Sequence, residues 1–147
     1  MRSPLALVTL LLVVASTPST ACARQGAPTA MMTLTWADVA GDWAGNAVSP
    51  VGDSVVTPLT FSFNANDKTA WMKFPNREPV AARVLAMDGD SVVVQAGPYP
   101  SVARSGHSVT VTSVLHVRSH MLWGIAHGVF DDGQTLDSKV KANHRVH

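Results

Sequence analysis

Past a short helical turn, apolar and polar residues alternate along almost the whole chain. Leu59, Phe61 and Phe63 alternate with Thr60 and Ser62, and Val109, Val111, Ser113, Leu115 and Val117 alternate with Ser108, Thr110, Thr112, Val114 and His116. Successive side chains of a strand point to opposite faces, so a two-residue period rich in β-branched residues marks strands with one buried face. The pattern predicts eight strands, near 42–48, 54–63, 68–75, 79–87, 90–97, 107–118, 121–130 and 134–144. Turn chemistry separates them. Asp88-Gly89 predicts a type I′ hairpin, whose two central residues both need positive φ. Asp131-Asp132-Gly133 and Asn64-Ala65-Asn66-Asp67 close two others. Pro58 lacks a ladder donor, which predicts a bulge or an unpaired edge in the second strand. One connection is longer, from Gly97 to Gly106.

The last two hairpins permit a register test. With Ser119-His120 as a two-residue loop, Val117 faces Leu122, Leu115 faces Gly124, Ser113 faces Ala126 and Val109 faces Phe130. Pairing Phe130 with Gln134 then places Leu136, Ser138, Val140 and Ala142 on the same inner face. Thr110, Thr112, His116, Arg118, Trp123, His127, Asp137, Lys139 and Lys141 fall on the reverse. Neighbouring strands thus agree on inside and outside, as a sheet curling around one core requires. Glycine and alanine on the inner face suit a tightly curved wall or a hollow interior. The fold class is therefore all-β: an eight-stranded antiparallel up-and-down barrel behind a short N-terminal helical turn. A two-sheet sandwich, with 97–106 as its crossover, is the alternative.

The first residues have a different character. Arg2 leads into the apolar run Leu5–Ala15 and then Ser-Thr-Pro-Ser-Thr-Ala-Cys-Ala, which reads as an export signal rather than a structural helix. The apolar run falls well short of the roughly 20 residues that span a bilayer. Residues 1–21 are expected to be a lipoprotein-type signal with Cys22 as the lipid attachment site. Cleavage after residue 23 is the alternative, and it gives a soluble secreted protein. Residues 22–33 contain Gly and Pro and no apolar period, so they read as a flexible tether, leaving 34–147 as one domain. Cys22 is the sole cysteine, so no internal disulfide is available and stability must come from packing.

The formal net charge is +1, and without Arg2 the ten acidic residues balance the other basic ones. Scattered charge of this kind offers no basic stripe to nucleic acid. It gives no electrostatic reason to bind anionic lipid either, so membrane contact is expected through the N-terminal lipid alone. Uncharged ligands or a protein partner fit such a surface better.

Leu34-Thr35-Trp36-Ala37-Asp38-Val39-Ala40-Gly41-Asp42-Trp43-Ala44-Gly45 resembles the opening of a lipocalin-type (calycin) barrel. Thr35 is a plausible N-cap, with Asp38 three residues later, for a brief helix ending at Gly41. Gly41-Asp42-Trp43 is similar to the G-x-W signature of lipocalins and fatty-acid-binding proteins. That resemblance implies barrel-end packing by Gly41 and Trp43, with the tryptophan under an arginine from a late strand. Arg118 and Arg145 are the candidates, although the register points both outward. Gly41-x-Trp43-x-Gly45 also resembles nitrobindin-like haem barrels, which makes the inward-facing His144 a candidate haem ligand.

All six histidines lie between 107 and 147. The register nevertheless argues against a shared metal. His127 and His116 are four residues apart along the ladder, more than about 10 Å at about 3.3 Å per residue, whereas zinc ligands lie about 2 Å from one ion. Nucleophilic catalysis has no G-x-S-x-G elbow, and Glu78, the only glutamate, precedes a turn proline. No enzyme activity and no cofactor are expected. In the long connection Tyr99, the only tyrosine, lies between two prolines with Arg104 five residues on, which suits ligand contact or coverage of a barrel end. Arg83 either snorkels at the surface or fixes an acidic head group. Trp123, Met121 and Ile125 form an outward apolar patch that suits a partner surface.

These features point first to a non-enzymatic exported barrel that binds a small apolar or amphipathic molecule at the cell envelope, periplasmic or anchored at the outer membrane. An accessory subunit docking on a membrane protein complex comes second, and a nitrobindin-like haem barrel third.

Overall fold

The computed structural model describes residues 33–146. The expected signal segment with Cys22, the expected tether up to residue 32, and His147 lie outside the described residues. A four-residue helix α1 (Trp36–Val39) precedes β1 (Gly41–Val48), β2 (Val55–Asn64), β3 (Thr69–Lys73), β4 (Val80–Asp88), β5 (Ser91–Pro100), β6 (Ser108–Arg118), β7 (Met121–Phe130) and β8 (Thr135–His144). Each strand pairs antiparallel with the next, and β8 returns to β1 from Trp43↔His144 to Val48↔Lys139. The sheet is a closed up-and-down barrel, not a sandwich.

The predicted register of the last three strands is present pair for pair. Val117↔Leu122, Leu115↔Gly124 and Val109↔Phe130 join β6 to β7. Leu122↔Ala142, Gly124↔Val140 and Ala126↔Ser138 join β7 to β8. Leu115, Leu122 and Val140 are fully buried, while Lys139 and Lys141 lie outside. Pro58 pairs only with β1, because the β2–β3 ladder begins at Thr60, and a bulge stands two residues away at Val56.

Two stretches depart from simple alternation. The β4–β5 hairpin pairs Asp88 with Ser91, so its loop is Gly89-Asp90, one residue later than expected. Only Gly89 of the two has positive φ, the type II′ pattern rather than type I′. Leu85 bulges out of β4, which sets Arg83 opposite Gln95 instead of Ala96. In β5 the strand runs on through Gly97-Pro98 to Pro100, and the connection shrinks to residues 101–107. Between the pairs Ala96↔Val111 and Tyr99↔Val109, β5 carries one extra residue. Such a bulge reverses the inside–outside parity of the residues beyond it, so Tyr99 turns inward. Gly97 is required there, because its φ is +111° and a Cβ would meet the Val109 carbonyl oxygen at 2.6 Å.

One barrel end is sealed. Leu34 donates its N–H to the Gly89 carbonyl at 2.7 Å, and Asp38 accepts both the N–H and the hydroxyl of Thr35, which starts α1. The helix ends one residue before the expected Gly41, with Ala40 as its C-cap. Val39 is fully buried, and Trp43 beneath it donates Nε1–H to the Val39 carbonyl at 2.7 Å. No arginine among the described residues covers the indole. His144 does so edge-on, with ring centroids 4.8 Å apart, while Arg118 and Arg145 are exposed, as the register required. Loops 49–54, 74–79, 101–107 and 131–134 surround the other end, which is the mouth.

Candidate functional site at the barrel mouth

Inside the mouth lies an apolar cavity of about 60 Å³. Leu59, Phe61, Met72, Phe74, Val109 and Phe130 form much of its wall, and Val140 its floor; among the described residues no Asp, Glu, Lys, Arg or His lines it. The β5 bulge brings Tyr99 into this wall, where its ring packs on Phe74 at 5.6 Å between centroids. Burial pushes the phenol up to about 12 from its ordinary 10.0, a shift that nearby Arg77 only partly opposes. The folded state therefore holds this stabilisation fully below pH 10 and loses it as the pH rises towards 12. Tyr99 is the only tyrosine, so alkaline ultraviolet titration reads it alone. The expected phenolate midpoint is about 12 in the folded protein. A midpoint at the free-phenol value would place the ring in water.

On the opposite wall the residues are small. Ser113, Ala126 and Ser138 lie side by side across β6, β7 and β8. Ser113 is 2% exposed and Ser138 9% exposed. Neither hydroxyl has a hydrogen-bond partner among the described residues, and both oxygens touch the free space of the cavity rather than being sealed in protein.

The rim is tied together by charge. Arg104 meets Asp132 through two nitrogens at 3.0 and 3.2 Å and lies over the Phe130 ring at 4.7 Å. His107 Nδ1 is 2.7 Å from Asp131 Oδ1. Arg77 donates to the carbonyls of Pro100 and Ser101. The His107 hydrogen bond holds the Asp131 carboxyl below its usual 3.8, and the Arg104 bond does the same for Asp132. His107, Asp131 and Asp132 are the one group among the described residues whose ligand-type atoms gather within 4.8 Å. The guanidinium already on Asp132 makes this a latch between loop 101–107 and the β7–β8 turn. Arg104 thus braces the rim and does not line the cavity.

The remaining sequence candidates lie elsewhere. Arg83 is on the outer face, donating to Gln95 Oε1 at 2.9 Å, and is absent from the cavity wall. Met121 and Ile125 are 57% and 51% exposed on the outside of β7, with Val114 beside Ile125. Trp123 is partly covered by stacking on His116. His116 and His127 each pair with a surface aspartate, Asp90 and Asp137. His144 is at the sealed end, its Nε2 3.0 Å from the Ala40 carbonyl and its ring against Gly41, where a Cβ would sit 2.5 Å from Nε2. Haem does not fit these residues. No imidazole among the described residues lines the cavity, and its volume is far below the roughly 300–1,000 Å³ of sites that enclose drug-sized ligands. Sequence reasoning missed Ser113 and Ser138 as chemistry, reading them only as small inner-face residues. It also missed the rim cations' partners.

No protein-family profile, curated protein or solved structure matches this chain.

Proposed function

We propose that this chain is a non-enzymatic binding protein of the cell envelope whose barrel mouth takes up a slender apolar molecule or the end of a longer one. The observation that carries this reading is an uncharged apolar cavity, open at one end of the barrel, with the hydroxyls of two nearly buried serines on its wall. Binding rests on burial of apolar surface at roughly 25 cal/mol per Å², and the small volume confines the buried part to something like a short alkyl chain. The export signal and a lipid on Cys22 would hold the barrel at a membrane, where such molecules concentrate.

Two methionines report on the two competing readings. Met72 is buried in the cavity wall and Met121 is exposed on the outer patch. With methyl-labelled methionine, titration with pentane or pentanol is expected to shift Met72 saturably and leave Met121 unmoved. No shift at Met72 up to the solubility limit of both compounds would overturn the reading. The second reading, an accessory subunit docking through Val114, Met121, Trp123 and Ile125, draws on the exposure of that patch and the smallness of the cavity.

A further inference from the structure

We infer that the occupant of the mouth enters with an uncharged oxygen-bearing head first, held between the hydroxyls of Ser113 and Ser138, and that carboxylates are excluded. This rests on the mouth-binding reading and adds the chemical class of the ligand.

The two serines occupy one ladder row, Val94–Ser113–Ala126–Ser138, with only the Ala126 methyl between them. Their neighbours in the wall include Ala126, Gly128, Val111 and Val140, and alanine would meet a need for a small residue there as well as serine does. What serine adds is a donor and an acceptor at each position. Both residues are more than nine-tenths buried and line the cavity, and neither hydroxyl has a partner among the described residues. The row lies deeper than Tyr99, Phe74 and Phe130, so a head group reaching it leaves its apolar body against those rings. An alcohol, a carbonyl or an ester meets the serines' hydrogen-bonding capacity without bringing charge.

A carboxylate would be stripped of water with no cation to receive it. The nearest rim cations are engaged, Arg104 by Asp132 and Arg77 by the Pro100 and Ser101 carbonyls, and neither lines the cavity. An unpaired buried charge is far more costly than an unpaired hydroxyl. The raised phenol of Tyr99 shows the same penalty acting on a group of the wall itself.

The test uses the full chain and three compounds of equal length: pentane, pentanol and pentanoate at neutral pH. Affinities come from the Met72 methyl shift, for the wild type and for Ser113→Ala, Ser138→Ala and the double variant. Pentanol is expected to bind about tenfold tighter than pentane, the value of one net hydrogen bond, and pentanoate not to bind. In the double variant the preference for pentanol is expected to vanish while pentane binding persists. Thermal melts should show the alanine variants at least as stable as the parent, because no protein hydrogen bond is lost. Equal binding of pentane and pentanol, pentanoate binding as tightly as pentanol, or a preference that survives both substitutions would overturn the inference and leave mouth binding standing. A Met72 signal unmoved by all three compounds would overturn mouth binding itself.

Discussion

Gly124→Ala is expected to lower the melting temperature by on the order of 10–20 °C, a destabilisation of about 3 kcal/mol for a domain of this size. Gly124 has no positive φ, so the cost is steric alone. A Cβ there would lie 1.9 Å from the Val114 carbonyl oxygen and 2.9 Å from the Leu115 Cα. Main-chain atoms cannot step aside as a flexible side chain can, so β6 and β7 would have to part. Gly45 stands in the same relation to β8, with the Lys141 carbonyl oxygen 1.9 Å from its Cβ position. Both points lie on the β6–β7–β8–β1 arc that closes the barrel. Gly133→Ala is the control. Its φ is +81° and nothing lies within 4 Å, so only the backbone preference of about 1 kcal/mol is at stake. Equal losses in the two variants, read by thermal dichroism, would show that crowding between the strands is not what makes Gly124 necessary.

Trp43→Ala is expected to cost about 4 kcal/mol, within the usual range for deleting a buried tryptophan. The ring is 1% exposed, supports His144 and satisfies the Val39 carbonyl. Its removal leaves both a void and a buried acceptor without a donor. Against a typical total stability of about 5–15 kcal/mol, a loss of this size brings the fold near its limit. Trp43→Phe keeps most of the volume and loses the Nε1 bond, for an expected cost of about 1–2 kcal/mol. Urea midpoints of the two variants separate packing from hydrogen bonding. A near-neutral alanine variant would mean that α1 and His144 seal the barrel without the indole.

Much of this architecture was legible because the alternation in β6, β7 and β8 is unbroken and their loops are short. A one-residue error would have sent Lys139 inside and Val140 out, so hydrophobic parity alone selected the register. Parity fails where a residue is inserted. Leu85 moved Arg83 along by one, and the Gly97-Pro98 bulge turned Tyr99 from the outer face to the inner. The Gly-Pro pair within a strand pattern was the available signal for that bulge. The arginine expected over Trp43 came from resemblance, whereas the histidine that covers it had the inward parity all along. The cavity was not legible, because its volume is set by how neighbouring side chains pack. Nor was the Arg104–Asp132 pair, whose members are 28 residues apart and meet only once the barrel closes.

The two barrel ends are fastened by different forces. Around Trp43 the fastening is buried surface and short bonds to main-chain carbonyls, which dissolved ions scarcely reach. At the opposite rim it is the partly exposed ion pair of Arg104 with Asp132, which ions screen over a Debye length of about 8 Å at physiological strength. Loosening is therefore expected to begin at the rim, and rising ionic strength to ease the entrance more than the plugged base.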